Sequence, residues 1–554
     1  MSLEHIDLDQ IQDVAQAKRA IVGLLNLVED LQATVRELQG EVQRLRDENN
    51  RLKGEQGKPN IKPNKPGKGP SQGSDHSSEA ERRKPQAWHK GSKLDKIKID
   101  REEVLTVDPT QLPADAEFKG YEDTLVQDVV IRSDNVLYHK EKFYSPAERQ
   151  TYLAALPPGY VGQFGPGIKA LALVQYYACN MAEPKIREFF ANVGVWLSEG
   201  ELSNWLVKDW PELHAEKDAI YEAGLRSSPW QHLDDTATRV NGENQHCHVI
   251  CNPLYTAFVT TESKDRLSIL DVLRNLRVRS FRVNAEAIDF LHVFGLPQRI
   301  VRTVESWPRE QDFSETEIHH WLDERLPRLG PQQRTHILEA TGVAAYHAQL
   351  EFPVVKLLVC DDAPQFNWLT EELALCWVHE GRHYKKLEPY VPQHRTELDK
   401  FTKQFWEYYD QLLAYRTQPT PAEKERLAAR FDLLFSTVTG YRALDERIAK
   451  TRLKKASLLL VLEHPEIPLH NNPAELGARQ RVRKRDVSFG PRTPDGAKAW
   501  DTFMTLTATA KKLGVSIYRY IHDRVSGAYE MPALADLISQ RASQQPLGPS
   551  WDPN

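Results

Sequence analysis

The sequence predicts an α/β protein whose catalytic core is enlarged by helical insertions and preceded by a coiled coil and two small modules. Three observations carry this: a leucine heptad in the first 55 residues, three strand-like runs between Gln231 and Thr260, and an apolar run, Val354 to Cys360, that ends in two aspartates. At roughly 150 residues per domain, 554 residues hold about three or four domains, enough to bury several cores without a disulfide or metal staple. The 72 Lys and Arg against 78 Asp and Glu give a net charge of −6. That near-neutral mean leaves nucleic acid open, because a DNA-binding face is a local property. Five Cys in no regular array exclude a secreted disulfide scaffold and fit a reducing cytosol. The N-terminus is acidic (Glu4, Asp7, Asp9), and no apolar run approaches the roughly 18 residues that span a bilayer, so a cytoplasmic protein is expected.

The heptad comes first. Leu24, Leu31, Leu38, Leu45 and Leu52 recur every seven residues, with Ile21, Val28, Val35, Val42 and Asn49 at the matching offset. β-Branched residues at a, Leu at d and one Asn at a favour a two-stranded parallel coiled coil in fixed register. Glu41 and Glu48 would then face Arg46 and Lys53 of a second copy. Residues 1–55 therefore read as a dimerisation helix. From Gly54 the composition turns to Gly, Pro and Lys with no apolar repeat, so residues 56–96 read as a flexible basic linker.

Between Ile97 and Tyr160 short runs such as Thr124 to Ile131 and Val136 to Tyr138, broken by Asp, Asn, Gly and Pro, predict a small β-rich module. Residues 161–225 read as helical. Ile168 to Tyr177 suits a buried helix and Pro184 to Phe190 a second. The turn Asn192 to Val195 and the N-cap Ser198 then open a third, Glu199 to Lys208. Two helices around a Gly-bearing turn form a helix-turn-helix-like arrangement, suited to a major groove, although Glu199 and Glu201 would repel phosphate.

The runs Gln231 to Val240, His246 to Cys251 and Thr256 to Thr260, followed by a helical pattern from Leu267 to Leu276, describe the opening of an RNase H-like fold. Asp234 and Asp235 lie in the first strand; Asp361 and Asp362 follow the strand Val354 to Cys360. A carboxylate at the end of a buried strand is costly without a cation, and two brought together repel unless a divalent ion lies between them. Neighbours on a strand point to opposite faces, so one of each pair can reach such a site. Glu475 follows Asn472-Pro473, a helix start, and precedes Arg479, Arg481, Arg483, Lys484 and Arg485. Two hard cations held by Asp, Asp and Glu can activate a water or a 3′-hydroxyl for in-line phosphoryl transfer, and the following cations suit a polyanion. His246, Cys247, His248 and Cys251 alternate between strand faces and cannot converge on one zinc.

At these residues the chain resembles the insertion sequence 66 family of bacterial DDE transposases. Leu233-Asp234-Asp235-Thr236 and Cys360-Asp361-Asp362-Ala363 look like its two Asp strands, and Asn471-Asn472-Pro473-Ala474-Glu475 matches its Glu segment. Cys376-Trp377-Val378-His379-Glu380-Gly381-Arg382 is similar to its Cys-Trp-x-His-x-x-Arg helix, and Arg479 falls four residues after the Glu. The resemblance implies Asp234, Asp361 and Glu475 as catalytic and metal-holding residues, with two Mg²⁺ or Mn²⁺ ions and no zinc. It adds His379 and Arg382 to the basic run as DNA contacts. It implies cleavage and strand transfer of an insertion sequence on an RNase H-like core spanning residues 226–530. The partners would be double-stranded DNA at terminal inverted repeats and target, a second copy of the chain, and accessory element-encoded proteins, at the bacterial nucleoid. Three departures stand out. Residues 97–160 contain no Cys where a zinc ribbon is usual. About 127 residues separate Asp234 from Asp361. His470 and Leu476 replace an expected Asp and Arg. Residues 278–350 and 390–468 therefore read as helical insertions, and 531–554 as a tail. The competing functions are a non-catalytic, transposase-derived architectural protein and an RNase H-like nuclease.

Overall fold

The computed structural model describes residues 13–53, 97–113, 115–160, 162–208, 210–545 and 547; the linker expected over 56–96 lies outside them. The centre is a five-stranded mixed sheet in the order β5-β4-β3-β8-β9. β3 (Trp230–Val240), β4 (Glu243–Asn252) and β5 (Tyr255–Thr261) form an antiparallel meander. Its first turn is Asn241-Gly242, both at positive φ, as a two-residue hairpin requires. β8 (Leu357–Cys360) then pairs parallel with β3, and β9 (Glu372–Leu375) parallel with β8.

Helices before the sheet follow the expected pattern. α1 is Val14–Leu52, α2 Pro166–Tyr177, α3 Glu183–Asn192, α4 Glu199–Val207 and α5 Pro211–Arg226. Ser198 caps α4 by accepting the N–H of Glu201. Tyr177 of α2 stacks on Phe503 and donates to the carbonyl of Leu206. The helix-turn-helix-like unit thus shares one hydrophobic core with the sheet domain.

After α6 (Arg266–Leu273) comes a block with its own apolar cluster: β6 (Ser280–Arg282), α7 (Ala285–Val293), α8 (Gln298–Glu305), β7 (Asp312–Ser314), α9 (Glu315–Arg325) and α10 (Pro331–Ala348). α11 (Trp377–Lys385) follows β9. α12 (Pro392–Thr417) and α13 (Pro421–Leu434) form the helical hairpin, and α14 (Arg442–Leu453) packs beside α11. α15 (Asn472–Ser488) crosses β3 and β4, and α16 (Pro494–Lys512) runs along β5. α17 (Ile517–Val525) and α18 (Leu534–Gln544) complete the chain. No helix among the described residues is long and apolar enough to cross a membrane.

Two contacts explain how α15 and α16 are seated. β5 is an edge strand, and α16 covers its free backbone. The N–H groups of Thr256, Phe258 and Thr260 donate to Thr509 Oγ1 (3.2 Å), Thr505 Oγ1 (3.0 Å) and Asp501 Oδ2 (2.7 Å). Every second strand residue, about 6.7 Å, meets every fourth helix residue, about 6 Å, so three caps align and the edge is closed to other chains. On α15, Gly477 is a close-approach residue. A Cβ there would lie 2.5 Å from Val249 Cγ1, so only Gly lets the helix rest on β4 at this point.

One expectation is corrected. Thr124–Ile131 and Val136–Tyr138 are not strands; the region's described strands are the hairpin β1 (Lys142–Ser145) and β2 (Gln150–Leu153). Val126, Val129, Val130 and Leu137 are exposed there. The β-branched residues give strand propensity, but no second layer buries them, and a pair of strands alone is marginal. α1 packs on its own body through polar positions. Glu29 accepts the N–H groups of Tyr390 (2.7 Å) and Val391 (2.9 Å) at the start of α12, and meets His394 Nδ1 at 3.1 Å. Asn26 donates to the Gly440 carbonyl, and Asp30 pairs with Arg442. The apolar seam faces away, with Leu31 55 % and Leu38 54 % exposed.

Candidate active site

The parallel register sets the site. Trp230, Gln231 and His232 lie opposite Leu357, Leu358 and Val359, a constant offset of 127 residues. Carried two residues further, that offset brings Asp234 beside Asp361. Asp234 sits within β3 and Asp361 just past β8, whose carboxylate accepts the N–H of Ala363 at 3.2 Å. Burial pushes the Asp234 carboxyl up to about 7, and the charges of Asp361 and Glu475 add to it. Among the described residues no Lys, Arg or His forms an ion pair with Asp234 or Asp361.

The alternative acids turn elsewhere. Asp235 meets Lys264 Nζ and Gln365 Nε2, each at 3.4 Å, and Asp362 pairs with Lys454. Lys454 also reaches the buried Glu380 at 3.1 Å, where Arg447 and Thr451 complete the set. Alternation along the strands thus sends one acid of each pair inward and gives the other a cation.

Glu475 is delivered by interlocked segments. Asn471, fully buried, donates Nδ2 to the Leu233 carbonyl (2.7 Å), and its Oδ1 meets His232 Nδ1 at 2.9 Å. Burial holds the His232 imidazole down to about 3, so it is neutral and donates Nδ1–H to Asn471. The Asn471 N–H donates to Cys376 Sγ at 3.2 Å, Trp377 N–H to the Leu469 carbonyl at 2.9 Å, and Trp377 Nε1 to the Leu458 carbonyl at 2.8 Å. Asn471, His232 and Cys376 are therefore positioning residues that sequence reasoning did not assign. The signal was the Asn-Asn-Pro and Cys-Trp segments themselves, whose polar groups are spent on one another.

Arg382 holds Glu475 and is itself braced by His379. Arg382 Nη2 lies 3.2 and 3.0 Å from its oxygens, and Arg382 Nη1 donates to His379 Nε2 at 2.8 Å. His379 then carries its proton on Nδ1, which is buried and without a hydrogen-bond partner. Burial, with Arg382 beside it, keeps that imidazole below its ordinary value against the pull of Glu475. Ligand atoms of Cys376, His379 and Glu475 lie within 4.8 Å of one another, a spacing that suits a metal. Burial raises the Cys376 thiol to about 12, and Arg382 is bonded to the other two groups, so this trio is a poorer fit for a cation than the unpaired aspartates.

The basic run divides. Arg479 and Arg483 are exposed, and Arg485 is half-buried, donating to the Ala237 carbonyl. Arg481 and Lys484 are fully buried and do not face solvent, which corrects their expected DNA contact. Arg481 bonds Asp501 (3.1 Å) and Thr260 Oγ1 (2.8 Å) and lies over Trp500. Lys484 donates to the Tyr176 carbonyl and sits 3.0 Å from the centre of that ring. At about 100° per residue, cations crowded into seven positions cannot share one face. Gly477, Arg481 and Lys484 recur at i, i+4 and i+7, the periodicity of a buried stripe.

The chain belongs to the transposase IS66 family, whose family model matches residues 161–282 and 343–499. The unmatched stretch between those segments falls within the block that has its own apolar cluster. An uncharacterised protein, y4jO, of Sinorhizobium fredii (strain NBRC 101917 / NGR234) is 32% identical over 327 residues, covering 58% of this chain and 100% of that protein. Membership implies transposase activity in general, with DNA as the partner.

Burial also pushes the Lys484 ammonium down to about 7 from an ordinary 10.5. Between those values the unfolded chain binds more protons than the folded one, so stability rises with pH. Relative to Lys484→Met, the wild type is expected to gain stability from pH 7 towards 10, by at most about 1.4 kcal/mol per pH unit. Denaturant unfolding of both across that range checks this; parallel profiles would contradict it.

Proposed function

We propose that this protein is a DDE transposase that cleaves the ends of an insertion sequence and joins them to target DNA, on an RNase H-like core. The observation that carries the reading is the convergence of Asp234, Asp361 and Glu475 at the centre of a sheet with strand order β5-β4-β3-β8-β9. The donor set is all carboxylate oxygen, and two of its members have no ion pair among the described residues, which fits Mg²⁺ or Mn²⁺. Two such ions, when bound, would supply Lewis-acid activation of the attacking hydroxyl and stabilisation of the leaving oxygen.

The chain's own residues do the rest. Asp234 and Asp361 hold fixed positions because β3 and β8 fix them. Glu475, now held by Arg382, would complete the set from the first turn of α15. Arg382 is placed beside Glu475 to take a DNA phosphate, and His379 orients it by accepting from its Nη1. Arg479 and Arg483 extend the cationic track along α15, and each such contact makes binding salt-dependent.

The homodimer rests on α1. Its polar side is docked on the body, while an Ile/Val and Leu seam, broken at a only by Asn49, is exposed. A heptad seam with matched Glu41–Arg46 and Glu48–Lys53 pairs is complementary to a second copy in parallel register.

Asp361→Ala is expected to reduce Mn²⁺-dependent cleavage of DNA carrying the sequences that flank its gene by at least about a hundredfold. Undiminished cleavage by a variant with an unchanged circular dichroism spectrum would remove Asp361 from the mechanism. Sedimentation equilibrium should give a dimer for the wild type and a monomer for Leu31→Glu/Leu38→Glu; a monomeric wild type would contradict the zipper.

A further inference from the structure

The far end of α15 carries a residue that the fold does not explain. Phe489 is the C-cap of the helix, at φ 59° and ψ 12°, the left-handed conformation that helices usually give to Gly. Its side chain is 89 % exposed, and among the described residues it makes no ring-stacking or cation–π contact. Both features are unfavourable for a phenyl group, and a Gly in its place would avoid both.

The surrounding backbone is held firmly. Phe489 N–H donates to the Arg485 carbonyl at 2.7 Å, and Asn241 N–H donates to the Pro491 carbonyl at 3.0 Å. Gly490 follows at φ 88°, and a Cβ there would lie 2.7 Å from the Arg239 carbonyl, so the turn is pressed on the end of β3. The ring therefore projects from a fixed turn rather than from a loose loop. Around it the sequence and these contacts place Arg239, Arg483, Arg485 and Arg492. Among the described residues Arg483 and Arg492 form no ion pair.

The residues on this stripe suggest a ligand class. Arg479 and Arg483 lie on the exposed side of the helix that begins beside Glu475, and Phe489 terminates the same track. Fourteen residues at about 1.5 Å each put the ring roughly 21 Å along the helix from Glu475. That is about six steps of a DNA strand at 3.4 Å per nucleotide. A lone exposed aromatic near Arg483 and Arg492, neither ion-paired among the described residues, is the chemistry of nucleobase stacking with flanking phosphate contacts. An apolar protein partner would call for a wider apolar patch.

We propose that Phe489 stacks on an unpaired nucleobase of bound DNA, about six nucleotides from the phosphate at the acid cluster, with Arg483 and Arg492 on adjoining phosphates. This rests on the reading of the chain as a DNA-processing enzyme and adds a site remote from the three acids.

The test uses the full-length protein without added metal and two fluorescein-labelled probes: a short paired duplex, and the same duplex with one central unpaired 2-aminopurine. The wild type is expected to bind the second at least about fivefold more tightly and to quench its 2-aminopurine emission. Phe489→Ala should bind both probes equally without quenching, and Phe489→Trp should retain the preference. Phe489→Gly should lose the preference with a melting temperature no lower than the wild type, which separates lost stacking from lost folding. Wild-type selectivity and quenching in Phe489→Ala would overturn the proposal. Because the assay reads binding alone, loss of the proposed catalytic role of the acids would leave it intact. A wild type that binds neither probe would overturn both readings.

Discussion

The parallel pairing of β3 with β8 is the constraint on which the rest of the structure depends. It sets two carboxylates side by side inside a sheet, where their mutual repulsion and burial raise the Asp234 carboxyl to about 7. Much of the surrounding chemistry compensates for that concentration of charge. The neighbouring aspartates have Lys264 and Lys454, and Glu475 has Arg382. Asp234 and Asp361 have no ion pair among the described residues, and a divalent ion is the group we propose for them, of matching charge and hardness.

Bringing the third acid to this pair requires a rigid helix rather than a loop. α15 is seated by Gly477 against Val249, by Arg481 buried on Asp501 and Thr260, and by Lys484 on Tyr176. Its first turn is fixed by Asn471, which bonds the backbone of β3 next to Asp234. The same helix then presents Arg479 and Arg483 outward. One element thus supplies a carboxylate to the centre, two buried cations to the core and two exposed cations to a polyanion. Edge protection belongs to the same arrangement, because Asp501, Thr505 and Thr509 of α16 cap β5 while Asp501 also holds Arg481.

Much of this was legible in the sequence where local chemistry and long-range packing agree. Ser198 reads as an N-cap and is one. Val354 to Cys360 reads as a buried strand ending in acids, and β8 ends there. The extra length between the two Asp strands reads as an insertion, and the block from Phe281 to Ala340 has its own apolar cluster. The misreadings came where a residue type was read without its face. Five cations near Glu475 looked like one DNA-binding run, yet Arg481 and Lys484 turn inward because they share a stripe with Gly477. The β-branched residues from Thr124 to Ile131 looked like a strand, but propensity without a partner does not make a sheet. Asn471 and Cys376 were visible as motif residues, but their bonds to β3 and to each other join positions far apart in sequence.

The central claim is that Asp234 and Asp361 form a divalent-cation site that Glu475 completes. A crystal of the full-length protein soaked in Mn²⁺, with anomalous scattering recorded at the manganese edge, tests this directly. The account predicts anomalous density between Asp234 and Asp361, with Glu475 moved from Arg382 towards it. Density at Cys376 and His379, with none at the aspartates, would contradict it.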